Sequence, residues 1–190
     1  MSEPTPLVIC LVGFPGVGKL TIATILARLS GARVIDNHWI NDPILRIVAS
    51  DGSAAVPEAV WPQVAKVRAA VLETVATLAP ASDSFIFTLA GADEDPEDRR
   101  AFEQYRKVAL RRHARLIVIR LLCREEELVK RIQDAERRGR KLTDPAEAIT
   151  NVRNYTPLNP SVPEVLSIDV TELSPEDAAA RIFAHINFAA

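Results

Sequence analysis

The sequence predicts a doubly wound α/β domain, in which a parallel β-sheet is covered by helices on both faces. Short apolar runs rich in β-branched residues alternate along the chain with longer segments whose apolar residues recur every three or four positions. A glycine-rich turn joins the first such run to the first such segment. The 190 residues are 48% hydrophobic, so residues 1–190 are expected to form one domain with a sizeable core.

The expected strands share a short length and an apolar character, and they are residues 7–13, 32–36, 85–90, 115–123 and 165–170. Since helical segments separate them, the strands should run parallel. In such a sheet, ligands bind beyond the carboxyl ends of the strands.

The expected helices are recognised by their apolar periodicity and by the residues at their ends. They cover residues 18–30, 57–79, 95–113 and 124–138, and further helices begin at Asp42-Pro43, Asp144-Pro145 and Ser174-Pro175. Asp or Ser followed by Pro is typical of a helix start. The stretch GRK at 139–141 breaks the helical pattern.

Composition excludes several classes of function. The net charge is −2, with 23 basic and 25 acidic residues, so no general attraction to nucleic acid or to an anionic membrane is expected. No apolar run approaches the roughly 20 residues of a membrane span. The N-terminal MSEPTP does not resemble a signal peptide. Cys10 and Cys123 lie in apolar runs and are expected to be buried thiols in a reducing compartment, which points to the cytoplasm.

Residues 13–19, GFPGVGK, have the spacing of a phosphate-binding P-loop (Walker A), G-x-x-x-x-G-K, between a predicted strand and a predicted helix. Glycines let consecutive backbone N–H groups turn inward around a phosphate, and the helix N-terminus adds a favourable dipole. The lysine would neutralise the β- and γ-phosphates of a nucleotide such as ATP. The candidate nucleotide-binding residues are Gly13, Pro15, Gly16, Val17, Gly18, Lys19, Leu20 and Thr21.

Leu20 stands where this motif usually has Ser or Thr, whose hydroxyl binds Mg²⁺. Leucine offers no ligand, and Thr21 lies about 100° further around the helix. The form G-x-P-G-x-G-K-x-T resembles the loop of adenylate kinases, which use ATP–Mg²⁺ with glycine in that position. That resemblance implies that Thr21 contacts the α-phosphate and that Mg²⁺ is held by phosphates, waters and an outer carboxylate.

Further stretches carry a wider resemblance, namely GKLT (18–21), NH (37–38) with Asp42, FIFT (85–88), KLTDP (141–145) and SIDVTELSPEDAAARI (167–182). The chain resembles small P-loop kinases of the adenylate, shikimate and gluconate kinase type. It is most similar to a bacterial branch often labelled "AAA family ATPase" or "shikimate kinase-like". The resemblance implies a P-loop NTPase fold, with a five-stranded sheet in the order 2-3-1-4-5 and a lid, at about residues 137–144.

The same resemblance assigns further residues to the nucleotide. Arg131, followed by Ile132, matches the first arginine of an R-I-x-x-R-R stretch that stacks on adenine. Asp169 and Thr171 would lie on the loop beside adenine, although a turn before the Ser174 cap explains them equally well. The chain departs from shikimate kinases after the second strand, where it lacks their two aspartates one residue apart.

Residues 36–42, DNHWIND, fall just beyond the second predicted strand. A kinase needs a group that orients or deprotonates the acceptor hydroxyl, and Asp36 or His38 could do this. Asp36 could instead hold a water of the Mg²⁺ shell. Asn37, His38 and Asp42 are expected to bind the acceptor, within an acceptor-binding region of about residues 36–80, although Asp42 also suits a helix cap.

Residues 131–141, RIQDAERRGRK, carry five basic side chains around the break in the helical pattern. Phosphoryl transfer spreads negative charge over oxygens that guanidinium groups can bind in pairs. We therefore expect Arg137 and Arg138 to act in catalysis, and Arg153 on the next helix to face the acceptor. A solvated helix end, where basic residues interact favourably with the helix dipole, is the alternative explanation.

These features favour an ATP- and Mg²⁺-dependent kinase of a small hydroxylated metabolite, with Lys19, Asp36, Arg137 and Arg138 as catalytic residues. The alternative is a nucleotide-binding sensor or slow ATPase that recruits a partner, which the missing hydroxyl at position 20 would suit. A nucleoside or nucleotide kinase is less favoured, because only 5% of the residues are aromatic and few could bind a base. The sequence is compatible with a monomer or a homodimer.

Overall fold

The protein has an open, five-stranded parallel sheet with helices on both faces. A computed structural model describes residues 5–48, 56–133 and 145–188. The strands are β1 (Leu7–Val12), β2 (Arg33–Ile35), β3 (Phe85–Leu89), β4 (Arg115–Leu122) and β5 (Val165–Asp169). They lie in the order β2-β3-β1-β4-β5, with parallel pairing throughout. The predicted fold class and the strand order 2-3-1-4-5 are confirmed.

The helices of the described residues are α1 (Lys19–Ser30), α2 (Asn37–Leu45), α3 (Trp61–Thr77), α4 (Pro96–Arg111), α5 (Glu125–Ile132), α6 (Pro145–Asn154) and α7 (Pro175–Phe188). A turn of 3-10 helix, Glu58–Val60, precedes α3. Two predicted caps are confirmed: Asp95 accepts the Glu97 N–H at 2.8 Å, and Ser174 accepts the Asp177 N–H at 3.0 Å. None of these helices is long and apolar enough to cross a membrane.

The central strand β1 is buried on both faces, which explains its continuous apolar run. Successive side chains of a strand point to opposite faces. Ile9 and Leu11 belong to the core cluster that includes residues of α1, α5 and α7. Val8, Cys10 and Val12 belong to a second cluster with residues of α3 and α4. The sheet therefore separates two apolar layers and leaves its carboxyl edge for ligands.

The two cysteines are free thiols, as predicted, but only Cys10 is fully buried. Burial raises the pKa of the Cys10 thiol far above its ordinary value, so this thiol stays protonated and unreactive. Cys123, directly after β4, is only partly buried. Partial burial also raises the pKa of the Cys123 thiol.

The start of α2 differs from the prediction. The helix begins at Asn37 and contains Pro43 in its interior, so the prediction that Asp42 caps a helix starting at Pro43 is wrong. The earlier start is stabilised by a tertiary contact, because Thr88 Oγ1 on β3 accepts the Asn37 N–H at 3.0 Å. Pro43 lies near the end of this nine-residue helix, where it removes one backbone donor.

The helix predicted over 124–138 is shorter in the structure, where α5 ends at Ile132. Residues 134–144, which include the predicted lid, the GRK break, Arg137, Arg138 and Asp144, lie outside the described residues. The next helix, α6, begins at Pro145 as predicted.

Arg112 closes the C-terminal end of α3 from its position just after α4. Its guanidinium donates to backbone carbonyls at and beyond that end, namely those of Val75 (2.6 Å), Ala79 (3.4 Å), Pro80 (2.6 Å), Ala81 (3.3 Å) and Asp83 (2.9 Å). The side chain is 8% exposed and stacks over the Phe85 ring, 4.9 Å from its centroid. Carbonyls at a helix end lack intrahelical partners, and Arg112 supplies their donors.

We expect Arg112→Ala to lower the free energy of unfolding by about 3 kcal/mol, because several buried carbonyls lose a charged donor together. For a chain of this length, that corresponds to a fall of about 6–12 °C in melting temperature, measurable by scanning calorimetry. Arg111→Ala is the matched control. Arg111 precedes it on α4 but forms an exposed ion pair with Glu73, so its loss should change the melting temperature little. Equal falls in the two variants would contradict this assignment.

Candidate active site

The loop between β1 and α1 ends in an uncapped helix N-terminus. Gly18 is the N-cap residue of α1 and has a φ of 102°, a conformation that residues with a side chain rarely adopt. No side chain caps the first N–H groups of α1. A helix start without a side-chain cap, with its N–H groups and its favourable dipole, suits the binding of phosphate.

Gly16 brings the same loop directly against α5. Its φ is 87°, and a Cβ atom there would lie 2.7 Å from Ile132 Cγ1 and 3.0 Å from Leu128 Cδ1. A side chain at this position would therefore push the loop away from α5. The neighbouring Val17 is 2% exposed, so the loop is packed on its underside.

Lys19 is the first residue of α1, and its side chain folds back along the loop. Its Nζ atom donates to the carbonyls of Gly13 at 2.7 Å and Phe14 at 2.9 Å. The ammonium group is thereby held at the loop, where phosphate charge would accumulate. Leu20 is partly buried and Thr21 is exposed on the first turn of α1.

Asp36 follows β2 and is 3% exposed. Thr88 of β3 donates its hydroxyl to Asp36 Oδ1 at 2.5 Å. Thr88 is in register with Leu11 of β1. Leu11 lies two residues before the predicted phosphate-binding loop at residues 13–19, which we call the phosphate loop. The Asp36 carboxylate therefore lies at the same carboxyl edge as that loop, and Thr88 fixes its orientation.

The remaining polar residues of the 36–42 segment divide into two groups. Asn37 Oδ1 accepts a hydrogen bond from Arg68 of α3 at 3.1 Å, so Asn37 faces α3. His38 Nδ1 lies 3.2 Å from Asp42 Oδ1, and Asp42 Oδ2 accepts from Arg46 at 3.4 Å. His38 and Asp42 thus pair with each other along α2, and their predicted contact with the acceptor stays a prediction.

Arg68 is a candidate site residue that the sequence analysis missed. Burial raises the pKa of the Asp98 carboxyl and brings the pKa of Tyr105 to about 12, and the nearby Arg68 charge counteracts both rises. Arg68 on α3 also donates to the Asn37 and Asn41 side chains of α2, at 3.1 and 3.5 Å. A signal existed in the sequence: Arg68 lies four residues after Val64 and three before Val71, on the apolar stripe of the predicted helix.

Arg131 of α5 donates to backbone carbonyls from two different loops. Its Nη1 atom donates to Val17 at 3.2 Å, and its Nη2 atom donates to Val170 at 2.8 Å and Thr171 at 3.1 Å. Its Nε atom donates to Glu127 at 2.8 Å. This hydrogen bond lowers the pKa of the Glu127 carboxyl from its ordinary value, so this carboxyl is ionised at neutral pH.

Asp169 and Thr171 form a local turn after β5. Asp169 Oδ1 accepts from the N–H of Thr171 at 2.8 Å and from its hydroxyl at 2.5 Å, which lowers the pKa of the Asp169 carboxyl. Arg153 of α6 pairs with Glu125 of α5 at 2.9 Å. The nucleotide role of Asp169 and Thr171 and the acceptor role of Arg153 stay predictions.

Comparison with known proteins was informative only at the level of structure, since no protein-family model and no curated protein sequence matches the chain. A candidate kinase from Chloroflexus aurantiacus is 19% identical, with 100% of both chains covered and a TM-score of 0.70. A sugar kinase from Janibacter is 19% identical, covering 97% of this chain and 95% of its own, with a TM-score of 0.64. Shikimate kinase from Acinetobacter baumannii, in complex with shikimate, is 20% identical, with coverages of 98% and 96% and a TM-score of 0.54.

The chain shares its fold with these three structures. In this fold, the described residues form two neighbouring regions at one sheet edge. The first is the phosphate loop with Lys19, and the second is the cluster of Asp36, Asn37 and Arg68 between α2 and α3. The first region suits the phosphates of a nucleotide, and the second offers a carboxylate, an amide and a cation to a small polar molecule.

The acidic side chains of the site also bear on whether it could hold a metal ion. Among the described residues, no group of three or more His, Cys, Asp and Glu side chains is arranged to hold one. Asp36 is a single carboxylate with one oxygen already bonded to Thr88. That arrangement fits contact with Mg²⁺ through a water molecule, since Mg²⁺ keeps several waters and is often bound by one or two carboxylates together with phosphates.

Proposed function

We propose that the protein is an ATP-dependent kinase that transfers the γ-phosphoryl group to a small hydroxylated metabolite. The observation that carries this proposal is the buried Asp36 carboxylate, oriented by Thr88 at the same edge as the phosphate loop. A phosphate loop alone would serve a nucleotide sensor equally well. A transferase also needs a group that orients or deprotonates the acceptor, and Asp36 is proposed to provide it.

In this mechanism, Lys19 and the N–H groups at the start of α1 bind the β- and γ-phosphates. Asp36 would either accept the proton of the attacking hydroxyl or, with Mg²⁺ bound, hold a water of the metal shell. Mg²⁺, when bound with ATP, would neutralise charge on the β- and γ-phosphates. Arg137 and Arg138 are proposed to stabilise the charge of the transferred group.

The acceptor is proposed to bind between α2 and α3, against Asn37 and Arg68. The Arg68 guanidinium donates to Asn37, and the Asp36 carboxylate directly precedes Asn37, so both charge signs are present. Such a surface suits a molecule with several hydroxyl groups, because it offers donors and acceptors together. The shikimate bound in one structural neighbour is itself a small molecule.

ATP turnover with Mg²⁺, measured with and without a bacterial small-molecule extract, tests the proposal. We expect the extract to accelerate turnover, and mass spectrometry should then show one new phosphorylated species. The product is heavier than the acceptor by one phosphoryl group, so its mass gives the mass of the acceptor. Tight ATP binding with slow hydrolysis that no extract changes would contradict the kinase and support the nucleotide sensor.

A further inference from the structure

The Arg131 guanidinium connects the phosphate loop to the segment after β5. Its hydrogen bonds to Val17, Val170 and Thr171 join two loops that are far apart in sequence. The side chain is 23% exposed, and its ion pair with Glu127 one turn earlier on α5 restrains its orientation. These bonds lie along the edges of the guanidinium plane, so they do not depend on contact between its face and a base.

The end of this connection at Val170 is firmly anchored. Val170 is 1% exposed, and its N–H donates to the Leu122 carbonyl at the end of β4 at 2.8 Å. Thr171 accepts the Arg124 N–H at 2.9 Å and is also bonded to Asp169. Through Arg131, the phosphate loop is therefore hydrogen-bonded to a segment that is itself fixed to the edge of the sheet.

The bond to Val17 controls the direction of a neighbouring donor. The Val17 carbonyl and the Gly18 N–H belong to one peptide unit, and in a trans peptide they point in opposite directions. Because Arg131 draws the carbonyl toward α5, the Gly18 N–H points away from α5. Gly18 has no side chain to restrict the rotation of this peptide unit, so a hydrogen bond to the Val17 carbonyl has a direct effect on its orientation.

We propose that Arg131 is a positioning residue that aims the Gly18 N–H at the bound phosphates by holding the Val17 carbonyl. The inference rests on nucleotide binding at the phosphate loop, which is part of the proposed function. It assigns to Arg131 a role in phosphate binding that is independent of the base. Loss of Arg131 should therefore weaken the binding of any polyphosphate, including one that carries no base.

Calorimetric titration with Mg²⁺ and either ATP or inorganic tripolyphosphate tests this role. We expect Arg131→Ala to lower the affinity for both ligands by about tenfold, which corresponds to the loss of one charge-assisted hydrogen bond. Arg131→Lys keeps the charge, but a lysine side chain cannot donate to three carbonyls together. This variant should therefore lower the affinity for both ligands nearly as much. In the wild type, the Gly18 amide resonance should shift when tripolyphosphate binds, and this shift should shrink in both variants.

Arg124→Ala is the control for lost charge, because Arg124 is exposed at the start of α5 and pairs with Glu172. Its affinities should change less than twofold. An unchanged affinity of Arg131→Ala for tripolyphosphate, with weaker ATP binding, would show a base contact and overturn the proposal. Full affinity in Arg131→Lys would also overturn it, since charge alone would then suffice; this variant decides the matter if Arg131→Ala does not fold.

The titrations need no acceptor, so they separate this inference from the proposed reaction. Wild-type protein that binds tripolyphosphate but phosphorylates nothing would overturn the kinase proposal and leave the role of Arg131 standing. Wild-type protein that binds neither ligand would overturn both.

Discussion

Lys19→Ala is expected to abolish phosphoryl transfer and to leave the fold intact. The Lys19 ammonium is held at the loop by the carbonyls of Gly13 and Phe14, where the β- and γ-phosphates are proposed to bind. Removing such a preorganised positive charge typically costs about 100- to 1,000-fold in rate. Alanine is compatible with the first turn of α1, so the fold should be retained. The melting temperature should fall by a few degrees, because the carbonyls of Gly13 and Phe14 lose a charged donor.

The measurement is ATP turnover in the presence of the bacterial extract, together with thermal melting followed by circular dichroism. Lys107→Ala is the matched control, because Lys107 is exposed on α4, outside the phosphate loop and the predicted acceptor-binding region. It loses the same charge and should retain full turnover. Undiminished turnover in Lys19→Ala would remove the phosphate loop from the mechanism.

Asp36→Asn is expected to reduce turnover by about 100- to 10,000-fold, the usual range for loss of a group that transfers or positions a proton. Asparagine has nearly the same shape, and its Oδ1 atom can still accept the Thr88 hydroxyl. The variant therefore removes the charge with little change in packing. The affinity for tripolyphosphate should change much less than the turnover, because Asp36 does not belong to the phosphate loop.

The two roles proposed for this carboxylate are distinguished by how the turnover of Asp36→Asn depends on the Mg²⁺ concentration. If Asp36 holds a water of the metal shell, a higher Mg²⁺ concentration should recover part of the lost turnover. If Asp36 is the general base, a higher Mg²⁺ concentration should recover none of the lost turnover. Asp83→Asn is the control, because Asp83 precedes β3 at the opposite edge, where it pairs with Arg33 at 3.0 Å. Equal turnover in Asp36→Asn and the wild type would exclude Asp36 from the reaction.

Much of the fold was predictable because the relevant signals are local. The apolar runs of the strands, the periodicity of α3 and the caps at Asp95 and Ser174 each depend on residues close in sequence. The phosphate loop is also local, since its glycines, its lysine and the following helix are contiguous. For the same reason, Asp36 was found from its position directly after a predicted strand.

The partners of these residues were not predictable. Thr88 orients Asp36 from 52 residues away, Arg68 bonds to Asn37 across 31 residues, and Arg131 bonds to Val17 across 114. Periodicity shows which face of a helix is apolar, but it does not show which side chain of another element will meet a polar residue on that face. These pairings depend on how the elements pack.

The helix α2 shows the same division within one segment. The residues Asp42 and Pro43 are a strong local signal for a helix start, yet the helix begins at Asn37, because Thr88 on a neighbouring strand accepts the Asn37 N–H. The sequence by itself determined the α/β class and predicted the phosphate loop and the candidate carboxylate, since each follows from backbone conformation and apolar spacing over a few residues. The tertiary structure decided how Asp36, Arg68 and Arg131 are held, because hydrogen bonds between distant segments form only when packing brings their donors and acceptors within about 3 Å.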